Sequence, residues 1–318
     1  MMPGGKTVLV TGATGFLGRT LAHALVRAGF DVVRGARSPP SKPPPSETWR
    51  GHGDVASTTR WNEVLEGVGT VLHLAGIAHL EDRNAARANE HLRQVNVEST
   101  ARLAAAAAAA GVGRFILMSS ALVHGHDSTA GAFTEASTLR PQTAYARSKR
   151  DAETALQHAA HGSGMEPVIL RPPMVYGPAS RGSFARLVSA VRRGVPLPVG
   201  CATAPKSFIG IDNLASAVVL CVAHPRAANQ TFLVCDGQTT STVGLVRRIA
   251  GALGRRPYLP AVPAGVMRAA LSAAGRTRDF ERLFLPLQID DGLIRARLGW
   301  SPPVSLAEGV RQAVTGAP

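Results

Sequence analysis

The sequence predicts an α/β protein: a doubly wound parallel sheet with helices on both faces, joined to a smaller C-terminal lobe. Three observations carry that expectation. Short apolar strand runs alternate with helix-period segments through the first two thirds of the 318 residues, the pattern of a parallel sheet covered on both sides. A glycine-rich turn, Thr11-Gly12-Ala13-Thr14-Gly15-Phe16-Leu17-Gly18, joins the first strand to the first helix. After Tyr176 the alternation breaks at Gly177-Pro178 and proline-rich connections follow. The sheet domain is therefore assigned to residues 1–176, with 207–236 returning to it, and the lobe to 177–206 and 237–318.

Taken in order, Thr7–Thr11 is the first strand run. Phe16–Ala28 has helical spacing, with Leu17, Leu21, Ala24, Leu25 and Ala28 on one face and Gly29 as the stop. Asp31–Arg34 reads as the second strand, and five prolines between Pro39 and Pro45 make the next stretch a rigid loop. Thr70–Ala75 is a third strand, Asn84–Ala110 one long helix closed by Gly111, and Arg114–Ser119 a fourth strand. Ala144–His161 is helical and Val168–Arg171 extended. Beyond Tyr176, Phe184–Arg193 reads as helix, Val195–Lys206 as loop, Asp212–Ala223 as helix and Thr231–Cys235 as strand. Val243–Leu253 and a segment after Pro302-Pro303 complete the helices.

Composition narrows the function classes. Hydrophobic content of 45% suffices for a core, and 5% aromatic content means that aliphatics and alanine must build it. The three cysteines have no C-x-x-C spacing, which argues for a reducing compartment and against a disulfide scaffold or metal site. The longest apolar stretch, Leu103 to Val112, is too short to span a bilayer. A strand run begins at Thr7 without a signal peptide before it, so a cytoplasmic protein with no membrane partner is expected. The net charge is +14, yet only four basic residues are lysine and no basic run is interleaved with aromatics. An arginine-rich solvated surface explains this better than nucleic-acid binding, and part of the excess can attract an anionic substrate.

The glycine turn carries the first chemistry. Glycine lets the backbone bend sharply and approach a pyrophosphate, whose charge meets the N-terminus of the following helix. Glycine triplets arise by chance among 33 glycines; the position between first strand and first helix makes this one a Rossmann-type dinucleotide site. Gly12, Gly15, Phe16, Leu17 and Gly18 are its candidate cofactor residues. Binding of a free ribose 2′-hydroxyl calls for an acid at the end of the second strand. Asp31 comes too early, and the tip reads Arg34-Gly35-Ala36-Arg37. Arg34 and Arg37 suit a 2′-phosphate, so NADP(H) is favoured and NAD(H) remains open.

Tyr145 and Lys149 lie four apart at the start of a helix and share a face. A tyrosine near its free pKa of ~10 is a poor base at neutral pH. A nearby ammonium stabilises the phenolate, which can then exchange a proton with a substrate hydroxyl while hydride moves to or from nicotinamide. Ser119-Ser120 closes the fourth strand at the carboxyl edge where such sheets bind ligands, and Ser120 can hydrogen-bond the substrate oxygen. With three tyrosines and four lysines, a chance Y-x-x-x-K has a probability of roughly 4%. An exposed tyrosine beside a solvated lysine is the plain alternative, and its placement after a serine-ended strand disfavours it.

These segments resemble the extended short-chain dehydrogenases/reductases, the NAD-dependent epimerase/dehydratase family, nearly end to end. The resemblance rests on T-G-A-T-G-F-L-G (11–18), H-L-A-G (73–76), the serine pair before A-L-V-H-G (121–125) and Y-A-R-S-K (145–149). R-P-P-M-V-Y-G-P (171–178), S-F-I-G-I-D-N-L (207–214) and L-G-W-S-P-P (298–303) complete it. The last three look like the sugar-nucleotide branch, with UDP-hexose 4-epimerases and UDP-4-keto-sugar reductases most similar. The resemblance implies that Asp54 and Val55 flank the adenine, that Leu74, Ala75 and Gly76 line the cofactor channel, and that Asn96 supports the cofactor. It puts Met174 and Val175 near the nicotinamide, and Ser119 is a further candidate cofactor-binding residue. Lys206 and Arg282 would grip a UDP diphosphate; ordinary surface cations are the alternative. It also allows a homodimer through two helices from each copy.

Departures from the family pattern matter as well. A sugar 4,6-dehydratase carries an Asp-Glu pair after the catalytic hydroxyl residue; here Ala121-Leu122 follows Ser120, so that chemistry is not expected. His124 replaces a tyrosine and is read as a packing or solvent-contact residue. Met174 replaces an asparagine and Phe208 a tyrosine common in UDP-galactose epimerases, which puts galactose specificity in doubt. The leading expectation is therefore oxidation or reduction at C4 of a UDP-hexose or UDP-N-acetylhexosamine, by a 4-epimerase or a 4-keto reductase. Tyr145 would be the acid/base, Lys149 its tuner and ribose anchor, and Ser120 the oxygen ligand. The alternatives are an NADPH-dependent carbonyl reductase on a non-sugar substrate and a non-catalytic NADP(H)-sensing protein.

Overall fold

The computed structural model describes residues 5–57, 60–78, 85–180 and 182–316. β1 (Thr7–Thr11) leads into α1 (Phe16–Arg27), β2 (Asp31–Ala36), β3 (Thr48–Gly51), α2 (Trp61–Leu65) and β4 (Thr70–His73). α3 (Ala85–Leu92), a π-helical turn at Arg93–Glu98 and α4 (Ser99–Ala109) precede β5 (Arg114–Met118). Then come α5 (Ala144–Ala160), β6 (Glu166–Arg171), β7 (Met174–Tyr176), α6 (Ser183–Arg192), β8 (Pro205–Gly210), α7 (Ile211–Ala223) and β9 (Gln230–Leu233). β10 (Thr239–Ser241), α8 (Thr242–Ala252), α9 (Ala264–Ala273), α10 (Thr277–Phe284), α11 (Gly292–Leu298) and α12 (Leu306–Thr315) follow.

Seven strands pair in the order β3-β2-β1-β4-β5-β6-β9, and every pairing is parallel. The winding reverses between β1 and β4, and the crevice at that switch point is where such sheets take ligands. Side-chain alternation explains why both faces are covered. Val8, Val10, Ile116 and Met118 point to the layer containing α1 and α7, whereas Leu9, Phe115 and Leu117 point to the layer of α2, α4 and α5. Ala104 and Ala107 of α4 are fully buried in the second layer, so the alanine run brings that helix close against its neighbours.

A second sheet has the order β10-β8-β7. The lobe core gathers Phe184, Val188, Phe208, Leu245, Ile249 and Phe280. Its attachment is polar: the Tyr176 hydroxyl donates to Asp236 Oδ2 at 2.6 Å. Asp236 Oδ1 accepts from Gly210 N at 2.8 Å and from Asn213 Nδ2 at 2.7 Å, and Asn213 also exchanges hydrogen bonds with Val304.

Several elements differ from the sequence expectation. The helix expected over 84–110 begins outside the described residues at Asn84, and its described part is α3, the π turn and α4. The stretch read as loop over Val195–Lys206 ends inside β8, with Pro205 tolerated as first strand residue. β2 runs two residues longer than expected, to Ala36, and the third strand stops at His73. β3, β7 and β10 were not expected; each is three or four residues long, too short for period-two alternation to register.

Candidate active site

The glycine turn is built for close approach to a ligand. Gly12 has φ +68°, and a Cβ there would meet Ala75 N at 2.8 Å. A Cβ on Gly18 would come within 2.7 Å of Ala13 Cα and 2.8 Å of Gly12 C, so α1 can leave the turn only with glycine at that position. Gly15 is the N-cap of α1, with no side chain capping the first turn and no acidic residue in it. The first N–H groups of the helix are therefore left for an anion. Phe16 and Leu17 are half-buried and pack on the sheet core. These features fit a dinucleotide pyrophosphate.

Thr11 fixes the opposite wall. Its Oγ1 lies 2.8 Å from His73 Nδ1 and accepts from Leu74 N at 3.2 Å and Ala75 N at 3.3 Å. His73 Nε2 reaches Thr100 Oγ1 at 3.1 Å. Burial holds the His73 pKa down at about 3, with Lys149 adding to the effect, so the imidazole is neutral and acts as a fixed polar bridge. Next to it, the Asn96 side chain exchanges hydrogen bonds with both backbone groups of Ile77, at 2.9 Å each, and donates to Ser148 Oγ at 2.9 Å. The π turn at Arg93–Glu98 contains Asn96, in keeping with the frequency of such turns at functional sites.

The second-strand tip differs from two free arginines. Arg34 is buried, ion-paired with Glu47 at 3.1 Å and stacked over Trp49. Its charge is met inside the protein by the Glu47 carboxylate and the Trp49 ring. Arg37 is exposed and is the cation left at the tip. Asp54 turns its own carboxylate back to Ala56 N at 3.0 Å, and Val55 is buried beside it.

At the carboxyl end of β5 the catalytic candidates meet. The Tyr145 and Ser120 hydroxyls lie beside each other; burial raises the Tyr145 pKa and the nearby Ser120 hydroxyl opposes the rise. Lys149 donates from Nζ to the Met118 carbonyl at 2.9 Å. A Cβ on Gly76 would lie 3.4 Å from Nζ, so the glycine leaves the ammonium room in the cofactor channel. Burial pushes the Lys149 pKa down to about 8, with Glu153 opposing. Thr143 caps α5 by accepting from Ala146 N at 3.1 Å, and Ser148 donates to the Tyr145 carbonyl at 2.8 Å, which fixes the turn carrying both residues.

Ser119 is buried and its hydroxyl is engaged within the protein. Its hydroxyl donates to the buried carboxylate of Glu153. Glu153 in turn takes a two-pronged pair from Arg171, Nε at 3.0 Å and Nη2 at 2.5 Å. Arg171 Nη1 sits 3.1 Å from His124 Nε2, whose Nδ1 is 3.0 Å from the Ser137 carbonyl. Burial and Arg171 hold His124 at about 4, so it is neutral, accepting at Nε2 and donating at Nδ1. Sequence reading missed this chain of contacts, although an acid one turn beyond Lys149 on a buried helix face was a visible signal.

The diphosphate candidates are not brought together. Lys206 is buried on β8 and its ammonium donates to the Leu285 carbonyl, with burial pushing its pKa down to about 8. Lys206, expected at the diphosphate, thus has one of its donors engaged by a backbone carbonyl. Arg282 is exposed on α10. Met174 and Val175 are half-buried on β7, Met174 against the lobe core and Val175 against the sheet core.

Comparison with known proteins follows the same lines. The profile of the NAD dependent epimerase/dehydratase family matches residues 8–235. The chain belongs to this family. It is 36% identical to a UDP-glucose 4-epimerase of Vibrio cholerae over 309 residues, covering 96% of this chain and 94% of the relative. MoeE5, solved in complex with UDP-glucuronic acid and NAD, superposes with a TM-score of 0.79 at 26% identity, with 97% of each chain covered. A UDP-glucuronic acid 4-epimerase from Bacillus cereus, solved with NAD, shares the fold at a TM-score of 0.79 and 22% identity, covering 97% of this chain and 95% of its own.

Proposed function

We propose that this member of the epimerase/dehydratase family acts at C4 of a UDP-linked hexose or N-acetylhexosamine, as a 4-epimerase or a 4-keto reductase. The observation that carries this reading is the Tyr145–Ser120 hydroxyl pair at the carboxyl edge of β5, with Lys149 one turn away beside Gly76. Similarity to a UDP-glucose 4-epimerase along nearly the whole chain supports the substrate class.

Nicotinamide, when bound, supplies the hydride acceptor and donor. The residues of the chain handle the proton. Ser120 holds the C4 oxygen, and Tyr145 takes the hydroxyl proton on oxidation or returns one on reduction. Burial alone leaves Tyr145 a weak base. With a pKa of about 8, Lys149 is mostly charged at neutral pH and its ammonium stabilises the phenolate. An epimerase runs both directions in one binding event, with the 4-keto sugar turning over between them; a reductase runs only the second. Gly12, Gly18 and the open end of α1 would hold the pyrophosphate, with Asn96 and Lys149 beside the nicotinamide ribose. Arg37 supports NADP(H) over NAD(H), now without help from Arg34. Ala121 and Leu122 after Ser120 supply no acid or base for 4,6-elimination.

A second reading, a carbonyl reductase on a non-sugar substrate, is favoured by one observation: Lys206 is buried and gives its ammonium to the Leu285 carbonyl. The test of the primary reading is whether purified protein keeps a nicotinamide cofactor through gel filtration and binds UDP. Retained NAD supports the epimerase, and ready exchange of NADPH supports the reductase. Binding of NADPH without any binding of UDP overturns the sugar-nucleotide reading.

A further inference from the structure

The positive charge of the chain is concentrated. Residues 177–206 and 237–278 carry twelve arginines and lysines and no aspartate or glutamate, so nearly all of the net +14 resides there. Ten of these arginines are exposed. Apolar surface accompanies the charge. Among the described residues four large hydrophobic side chains are exposed, and three lie in these segments: Val195 at 45%, Tyr258 at 67% and Val266 at 57%. Val195 and Tyr258 share a surface depression of about 150 Å³ with Arg255 and Arg256. α9 follows a few residues later. Met267 and Leu271 turn toward the lobe core, yet no residue of this apolar helix is buried.

We propose that the surface of the lobe around Val195, Arg255, Arg256 and Tyr258, continued by the exposed α9, docks on the surface of an anionic lipid membrane. The arginines would pair with headgroup phosphates while Tyr258, Val195 and Val266 enter the boundary with the acyl chains. A nucleotide sugar carries too few charges to account for ten exposed arginines, of which one, Arg276, is paired with an acid, Asp279. Nucleic acid would use the cations and leave the exposed apolar side chains unexplained. Seating is interfacial: among the described residues no helix is long and apolar enough to cross a membrane. The proposal is independent of the assignment of the active site.

The experiment is flotation of the full chain with vesicles of phosphatidylethanolamine and phosphatidylglycerol, against phosphatidylcholine vesicles, from low to physiological salt. Binding is expected on the anionic vesicles alone. Each arginine removed at the surface should lower partitioning about fivefold, so Arg255→Glu with Arg256→Glu lowers it at least roughly 25-fold. Replacing Val195, Tyr258 and Val266 by serine should weaken binding most at physiological salt, where screening dulls the charges. Circular dichroism and an unchanged Tm establish that each variant is folded. Failure of the unaltered chain to bind anionic vesicles overturns the proposal. So does a triple serine variant that binds like the unaltered chain while both bind duplex DNA equally well, which would mark a general polyanion surface.

Discussion

Glu153→Gln separates structure from chemistry at the candidate site. Glu153 and Arg171 are 3% and 6% exposed, and the carboxylate takes two guanidinium hydrogen bonds and the Ser119 hydroxyl. Glutamine keeps the shape and leaves the Arg171 charge buried without a counter-ion. Breaking such a pair destabilises by about 3–5 kcal/mol. At roughly 2.1 cal/mol/K of unfolding entropy per residue, a chain of 318 residues should lose about 4–8 °C of Tm in calorimetry. The second effect is on the pH profile. Glu153 is the group that opposes burial at Lys149, whose pKa stands at about 8. Without that carboxylate the Lys149 pKa falls further, the ammonium is lost at lower pH, and the alkaline limb of kcat/KM moves to lower pH. Combining Glu153→Gln with Arg171→Met removes the orphaned charge and should recover part of the Tm while leaving the limb displaced. An unchanged Tm and an unmoved alkaline limb in the single variant would refute this account of the network.

Other perturbations test other parts of the site. Gly18→Ala drives a Cβ into the backbone of the cofactor turn; a loss of about 1–3 kcal/mol of stability and a large drop in nicotinamide affinity by titration are expected. Arg37→Ala should weaken NADPH binding at least tenfold with little change for NADH, whereas Arg34→Ala, which breaks a buried pair with Glu47, should lower Tm and leave the NADPH/NADH ratio alone. His73 and His124 stay neutral in the fold down to about 3 and about 4 but bind protons near ~6.5 once unfolded. The unfolded state therefore takes up more protons as pH falls through that window, so stability is fully present above it and is lost between about pH 6.5 and 3. Denaturant titrations across that range should show the slope, and His124→Gln should flatten it.

Much of the sheet domain is readable in the sequence because both of its signals are local. Apolar strand runs such as Val8–Val10 and Phe115–Met118 show burial on both faces, and the turn at Gly12–Gly18 is a backbone requirement that only glycine meets. Tyr145 and Lys149 are legible for the same reason, since helix spacing alone aligns them. What escapes is decided by long-range partners. Arg34 looks available until Glu47 and Trp49 arrive from the next strand region to neutralise and cover it. Ser119 and Lys206 look like ligand contacts until Glu153 and the Leu285 carbonyl claim them. The π turn is invisible to periodicity, since one extra residue in a single turn barely changes the apolar pattern around Asn96. The short strands β7 and β10 follow from pairing with β8 rather than from their own composition.

The central claim is that Tyr145, held by Ser120 and served by Lys149, exchanges a proton with the C4 oxygen of a UDP-sugar. The direct measurement is nuclear magnetic resonance of UDP-hexoses, UDP-N-acetylhexosamines and their 4-keto derivatives incubated with the protein and NAD(H) or NADP(H). Inversion at C4, or reduction of a 4-keto group to a C4 hydroxyl, is predicted. Tyr145→Phe should slow that conversion by about 10²–10⁴-fold while leaving nicotinamide binding intact. A C4 conversion that Tyr145→Phe performs as fast as the unaltered chain, or change at another carbon only, would contradict the account.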